Sequence, residues 1–163
     1  MSVIDWGDIH NSVVSELGKE CQGWIRIVEE ALERVKKRAI EQKRPAPEVH
    51  QIKQKFGELR IYYSRANTDG YQDSDIVAAI TEANRCCQWC GNSCRTQIID
   101  AWIVNMCCWC MHRMADNTGK SKPKFNTQHL PDDPLRCQSC GYVGQIAWKA
   151  TGHRCPCCVS KGL

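Results

Sequence analysis

The chain has 163 residues, a formal net charge of +4 and 13 cysteines. That length holds one domain or two very small ones, and no run approaches the roughly 18 consecutive apolar residues of a membrane span. Met1-Ser2-Val3-Ile4-Asp5-Trp6 lacks the basic start and apolar run of a secretory signal. Paired C-x-x-C spacings and an odd cysteine total speak against a disulfide framework, so the expected compartment is a reducing cytosol.

The charge is uneven. Residues 1–84 carry 12 basic and 14 acidic side chains, residues 85–163 carry 10 and 4, and the cysteines crowd into that basic half. A Zn²⁺ held by four thiolates has a charge of about −2. Two such sites bring the chain close to neutral, so the surplus lysines and arginines read as counter-charge, which weakens a phosphate-binding reading.

In chain order, Asp5 to Leu17 sets Trp6, Ile9, Val13 and Leu17 at helical spacing, with Gly18 as a stop. A second helix is predicted from Gly23 to about Lys43, with Trp24, Ile27, Val28, Ala31, Val35 and Ala39 as its apolar stripe. Its acidic start and basic end suit the helix dipole, and the basic run reads as a solvated end. Pro45-Ala46-Pro47 closes it.

A hairpin follows. Ile52 and Phe56, then Leu59, Ile61 and Tyr63, are expected on the buried face, with Gly57-Glu58 as a two-residue turn. The outer face then presents Lys53, Lys55, Arg60 and Tyr62, a candidate partner-binding surface able to grip an anionic partner or stack on a base. It is equally the face any strand pair shows to water. Ser64 to Asp73 reads as a loop, and Asp73 or Ser74 as the cap of a helix ending near Arg85.

Cys87-Gln88-Trp89-Cys90-Gly91 then forms the first half of a metal site. Two thiols at this spacing followed by glycine make a knuckle that aims both sulfurs at one point. Cys107 and Cys110 repeat the spacing. Between the pairs, Gln97–Ile99 and Trp102–Val104 read as short strands, and Cys107–Asn117 as a helix, an order that suggests a treble clef. Thr118 to Leu135, with three lysines and three prolines, reads as an extended linker. A second four-cysteine set, Cys137, Cys140, Cys155 and Cys158, is expected in a zinc ribbon with strands over Tyr142–Ala150, folded only when metal is bound.

Eight cysteines thus fit two tetrahedral sites and imply two Zn²⁺ per chain. Cys86, Cys108, Cys157 and His112 leave the register open. Gly91 and Gly141 favour Cys87/Cys90 and Cys137/Cys140, because glycine frees the knuckle backbone. Cys21 and Cys94 have no assigned role, and Cys21 reads as buried.

The order Cys21-Gln22-Gly23-Trp24, then Lys53-Gln54-Lys55-Phe56-Gly57-Glu58-Leu59-Arg60-Ile61-Tyr62, then Cys87-Gln88-Trp89-Cys90-Gly91 and Trp102 to Cys110, resembles a family of uncharacterised phage and prophage proteins. They combine a KxKFGxLRxY hairpin with a four-ligand zinc motif whose last ligand is often His, where this chain has Cys110. The resemblance spans about residues 20–112 and implies a viral origin, hence a host-cell cytosol.

The expected fold is α+β. Residues 1–117 form a zinc-stabilised module of helices, hairpin and treble-clef-like four-cysteine site, 118–135 a linker, and 136–163 a zinc ribbon. For function, the pattern points to a non-enzymatic phage accessory protein that binds a host protein complex, in transcription or antiviral defence. A nucleic-acid-binding zinc protein is the alternative. A metal-dependent nuclease is more distant: Gly91 to Met106 contains no histidine, and His112, Asn126 and His129 follow in the wrong order for a His-Asn-His site. Neither the H-x-E…P-C-x-x-C signature of the zinc deaminases nor a phosphate-cradling glycine loop is present.

Overall fold

The computed structural model describes residues 1–99, 102–111, 113, 124–125, 133–144 and 147–160. Helix α1 (Ile9–Leu17) starts at Asp8, whose carboxylate accepts from the Asn11 amide, and stops at Gly18, where φ is +65°. The cap places the start four residues later than apolar spacing suggests, and leaves Trp6 packed on the core from outside the helix. Helix α2 (Gln22–Glu41) buries Trp24, Val28, Ala31, Leu32, Val35 and Ala39. Helix α3 (Ser74–Ala83) is capped by Asp73, which accepts from the Asp75 amide at 3.0 Å.

Strands β1 (Glu48–Lys55) and β2 (Glu58–Ser64) pair antiparallel, Lys53 opposite Arg60 and Lys55 opposite Glu58, with an irregularity between Val49 and Gln51. Helix α2 packs between α1 and α3, while α1 covers β1 and α3 covers β2. Val49, Ile52, Leu59 and Ile61 join the helices in one core. The turn corrects the expectation by one residue. It is Phe56-Gly57, with φ of +52° and +77°, the positive pair a type I′ turn requires. Phe56 therefore leaves the buried face and stands at the tip, 67% exposed.

The basic end of α2 is only partly solvated. Arg38 reaches both carboxylate oxygens of Asp73 at 2.6 Å and Asp75 at 2.7 Å, and Arg34 reaches Asp75 at 2.9 Å. Tyr71 donates to Asp73 as well, and the Asp73 amide donates to the Tyr63 hydroxyl. These bonds clamp the start of α3 to α2.

Strands β3 (Thr96–Ile99) and β4 (Trp102–Asn105) form the short hairpin expected between the cysteine pairs. Strand β5 (Lys124–Phe125) pairs with the other edge of β3, giving the order β4-β3-β5. A piece of the segment read as linker is thus held by ladder bonds; the rest of its residues up to Asp132 lie outside the described ones. Residues 108–111 form the helical turn α4; Arg113 is helical too, and His112 and 114–117 lie outside the description. The chain is α+β, as expected.

Beyond Asp133 the strands expected over Tyr142–Ala150 do not form among the described residues. A single bridge joins Arg136 to Val143, Lys149–Thr151 is a 3₁₀ turn, and Pro156–Ser160 is a short helix, α5. Trp148, read as one side of a strand alternation, folds back so that a methyl group on Gly144 would lie 2.3 Å from its ring. Packing beside the cysteines decides its place.

Candidate metal centres

The eight cysteines named from their spacing come together as two groups. Within Cys87, Cys90, Cys107 and Cys110, and within Cys137, Cys140, Cys155 and Cys158, all four sulfurs lie within 4.8 Å of one another. A tetrahedral ion with Zn–S bonds of about 2.3 Å sets its sulfurs about 3.8 Å apart. The Cys90–Cys107 distance is 3.6 Å and the Cys140–Cys155 distance is 3.8 Å. All-thiolate tetrahedral donors suit zinc, and four of them close its coordination sphere. Only Cys90 among the eight is exposed.

One backbone pattern builds both groups. In the first, the Gly91 amide donates to the Cys87 carbonyl at 2.8 Å and the Cys87 amide to Asn92 at 2.6 Å. In the second, Gly141 donates to Cys137 and Cys137 to Tyr142, both at 2.8 Å. Gly91 and Gly141 have φ of +78° and +75°, the positive φ that closes each knuckle and that glycine adopts without strain. The residue after each first cysteine is fixed alike: Gln88 donates to Asn105 at 2.7 Å and Gln138 to His153 at 2.8 Å, each acceptor two residues before the second pair. The second pairs sit on matching helical turns, with Met111 bonded to Cys107 at 2.9 Å and Val159 to Cys155 at 3.0 Å. The metal fit is therefore made by backbone path as much as by thiols. Crowded sulfurs split their proton affinities: Cys107 beside Cys87 lowers that thiol's pKa to about 7 and Cys140 beside Cys137 lowers that one to about 6, while the same crowding pushes Cys107 and Cys158 up.

The first knuckle is seated on the helical core. The Gly23 amide in α2 donates to the Gln88 carbonyl at 2.7 Å, and a methyl group on Gly23 would fall 2.2 Å from the Cys87 carbonyl oxygen. Trp24 Nε1 donates to the Cys86 carbonyl at 3.1 Å. Buried Asn105 gives its side-chain amide to the Asn84 carbonyl at 3.1 Å and accepts from Thr96 at 2.9 Å, while Asn84 accepts from the Leu59 amide at 2.9 Å. Two asparagines thus stitch β2, the end of α3 and the metal hairpin together. Sequence reasoning singled out neither, since a polar residue in a short strand gives no sign of burial. Gly23, carried within the Cys21-Gln22-Gly23-Trp24 string, was visible but unexplained.

The second knuckle is seated on the first. The Arg95 amide donates to the Cys140 carbonyl at 3.0 Å, and Gly141 lies against the backbone of Cys94 and Arg95. Tyr142 packs on both cysteine groups, its ring centroid 6.3 Å from that of Trp109 and 6.1 Å from that of Trp148.

Of the remaining cysteines, Cys21 is buried in the helical core, where desolvation pushes its thiol up to about 11. Cys86 is half-buried beside that core, and Cys94 is buried beside the first group. Cys108 turns away from its neighbours Cys107 and Cys110 and joins the second group, its sulfur 2.8 Å from that of Cys157. His112, the alternative partner for Cys108, is outside the described residues.

The candidate partner-binding residues share the outer hairpin face. Lys53 Nζ stands 5.2 Å over the Tyr62 ring and Lys55 Nζ 5.5 Å over the Phe56 ring, while Arg60 is paired with Glu58. Gln54 donates to the Ile103 carbonyl at 3.4 Å, fixing the hairpin to the metal hairpin. No described helix is long and apolar enough to cross a membrane. Compared with known proteins, the chain matches no family model, no curated protein and no solved structure.

Proposed function

We propose that the protein holds two zinc ions for structure and acts by binding a host protein complex, of the transcription or antiviral-defence machinery, without catalysing a reaction. The observation that carries the reading is the hairpin tip. Phe56 is 67% exposed, in a left-handed conformation that a side chain of its size adopts at a cost of about 1–2 kcal/mol. Asparagine or glycine would serve the turn better, and an exposed ring at a strained backbone position is a feature that clusters at contact sites. Tyr62, Lys53 and Lys55 extend the surface, and their charge suits an acidic patch on a protein partner. Each metal set is closed by four thiolates, which gives an ion there no open position for water or substrate. The viral setting rests on the hairpin and knuckle strings that resemble phage proteins, and it places the protein in the host cytosol.

A second reading, binding of nucleic acid, draws on the stacked Lys53–Tyr62 pair, since an exposed ring flanked by cations can take a base. Capture of partners from a bacterial lysate on the tagged full chain, with and without nuclease, separates the two. A defined protein set that survives nuclease and is lost from a Phe56→Ala, Lys53→Glu, Lys55→Glu triple variant supports the first. Capture that vanishes with nuclease establishes the second. Equal capture by parent and triple variant refutes the hairpin as the contact surface.

A further inference from the structure

Two thiols are left over where the metal modules meet, and they face each other. Cys108 lies between Cys107 and Cys110 of the first group in sequence, yet its sulfur sits with the second group; Cys157 lies between Cys155 and Cys158. Their Sγ atoms are 2.8 Å apart across a sequence separation of 49 residues. Closing to a disulfide bond of about 2.05 Å requires less than about 1 Å of approach, within side-chain rotation and small shifts of α4 and α5. Neither thiol is needed to complete a four-sulfur set. The cysteines beside them form the two four-sulfur sets, where a bound ion would draw charge from each thiolate and lower its nucleophilicity.

We propose that Cys108 and Cys157 are a redox modification site, forming an intramolecular disulfide that locks the second metal module onto the first. The oxidant is a small peroxide, because exposure is only 6% at Cys157 and 0% at Cys108, too little for a bulky disulfide reagent. The Cys157 sulfur attacks hydrogen peroxide and the O–O bond breaks. One oxygen stays on sulfur as sulfenic acid, and the other leaves as water with a proton. The Cys108 sulfur then attacks the sulfenic sulfur; the S–S bond forms, the S–O bond breaks, and hydroxide leaves as water with the Cys108 proton. Two thiols and one peroxide become one disulfide and two waters. Once the chain is unfolded and the sulfurs are accessible, a dithiol reductant restores both thiols by exchange and is itself oxidised to a disulfide. The cross-link joins α4 to α5, so its effect falls on the interface between modules and leaves both four-sulfur sets intact.

The test treats zinc-loaded full-length protein with one equivalent of hydrogen peroxide, blocks remaining thiols, and maps disulfides by mass spectrometry of an unreduced digest. Retained zinc is measured on the same sample. The expected first product is the Cys108–Cys157 cross-link, with zinc content unchanged. On a denaturing gel, oxidised protein cleaved between residues 114 and 132 should then run as one piece until reductant is added, and unoxidised protein as two. Cys157→Ser and Cys108→Ala should each abolish the cross-link and keep both metals. Disulfides among the eight grouped cysteines appearing first, with zinc released in step, would overturn the proposal. So would Cys108 and Cys157 both remaining open to alkylation after peroxide, or loss of the second metal from Cys108→Ala, which would make Cys108 a ligand.

Discussion

Gly23→Ala probes the seating of the first metal knuckle on the helical core with the addition of one methyl group. That group would lie 2.2 Å from the Cys87 carbonyl oxygen, 2.4 Å from the Gly91 amide nitrogen and 2.9 Å from the Cys90 amide nitrogen. All three atoms are backbone, and all belong to the loop that aims two ligand sulfurs, so no rotamer change relieves the contact. Overpacking of this kind costs about 3 kcal/mol, at the upper end of its usual range because the obstacle is main chain. Separation also breaks the Gly23–Gln88 bond at 2.7 Å, a further loss of about 1 kcal/mol. Alanine's better helix propensity returns about 1 kcal/mol. The net destabilisation is about 3 kcal/mol, and because metal binding and folding are coupled here it should appear as roughly a hundredfold weaker zinc affinity at the first site. Urea unfolding of the zinc-loaded protein and competition with a chromophoric chelator measure the two effects. Gly152→Ala is the control: its φ of +64° and ψ of +41° are left-handed and nothing lies within 4 Å of its added methyl, so it carries only the left-handed penalty of about 1 kcal/mol. A Gly23→Ala protein as stable as its parent, with unchanged zinc affinity, would refute the docking of α2 on the knuckle.

Purified reduced protein should contain about two zinc ions per chain, and Cys137→Ser about one, with the helical core still folded; metal analysis and far-ultraviolet circular dichroism check this. Phe56→Asn should raise stability by about 1 kcal/mol by relieving the turn while weakening partner capture, and a lower urea midpoint would contradict the turn assignment. Asp73→Asn should cost about 2 kcal/mol at neutral pH, less than a fully buried pair because Arg38 is 29% exposed. Burial opposes ionisation of Asp73, but hydrogen bonds from Tyr71 and Arg38 prevail and hold its carboxyl below the usual range. That stability is present above the unfolded carboxylate pKa of about 3.9 and fades as pH falls through the lower folded value. Urea midpoints of parent and variant should therefore converge below about pH 4.

The helices and strands were legible because each is amphipathic at its own period: Trp24, Val28, Ala31 and Val35 on α2, and Leu59 and Ile61 on β2, are buried as their spacing requires. The metal groups were legible because C-x-x-C-G constrains local geometry without help from distant residues. The turn falls one residue earlier than the expected Gly57-Glu58 because a type I′ turn uses a positive φ at both positions and here takes Phe56 as well. The strands expected around Trp148 reflected an alternation that packing overrides, since that ring lies on Gly144 and Tyr142. Helix α5 was overlooked although Pro156 stands at its first position, where proline is favoured. The packing of one knuckle on the other has no local sequence signal, since it runs through the main chain of Cys94, Arg95, Cys140 and Gly141.

That arrangement gives the molecule a direction. The first knuckle is bedded both on helix α2 and against the second knuckle, while the second is bedded on the first alone, like courses of brick laid from the N-terminal end. The lower course can stand when the upper is removed, whereas the upper loses its bedding when the lower fails. A chelator should therefore strip the two ions in sequence, the C-terminal one first, and remetallation should rebuild them in the reverse order.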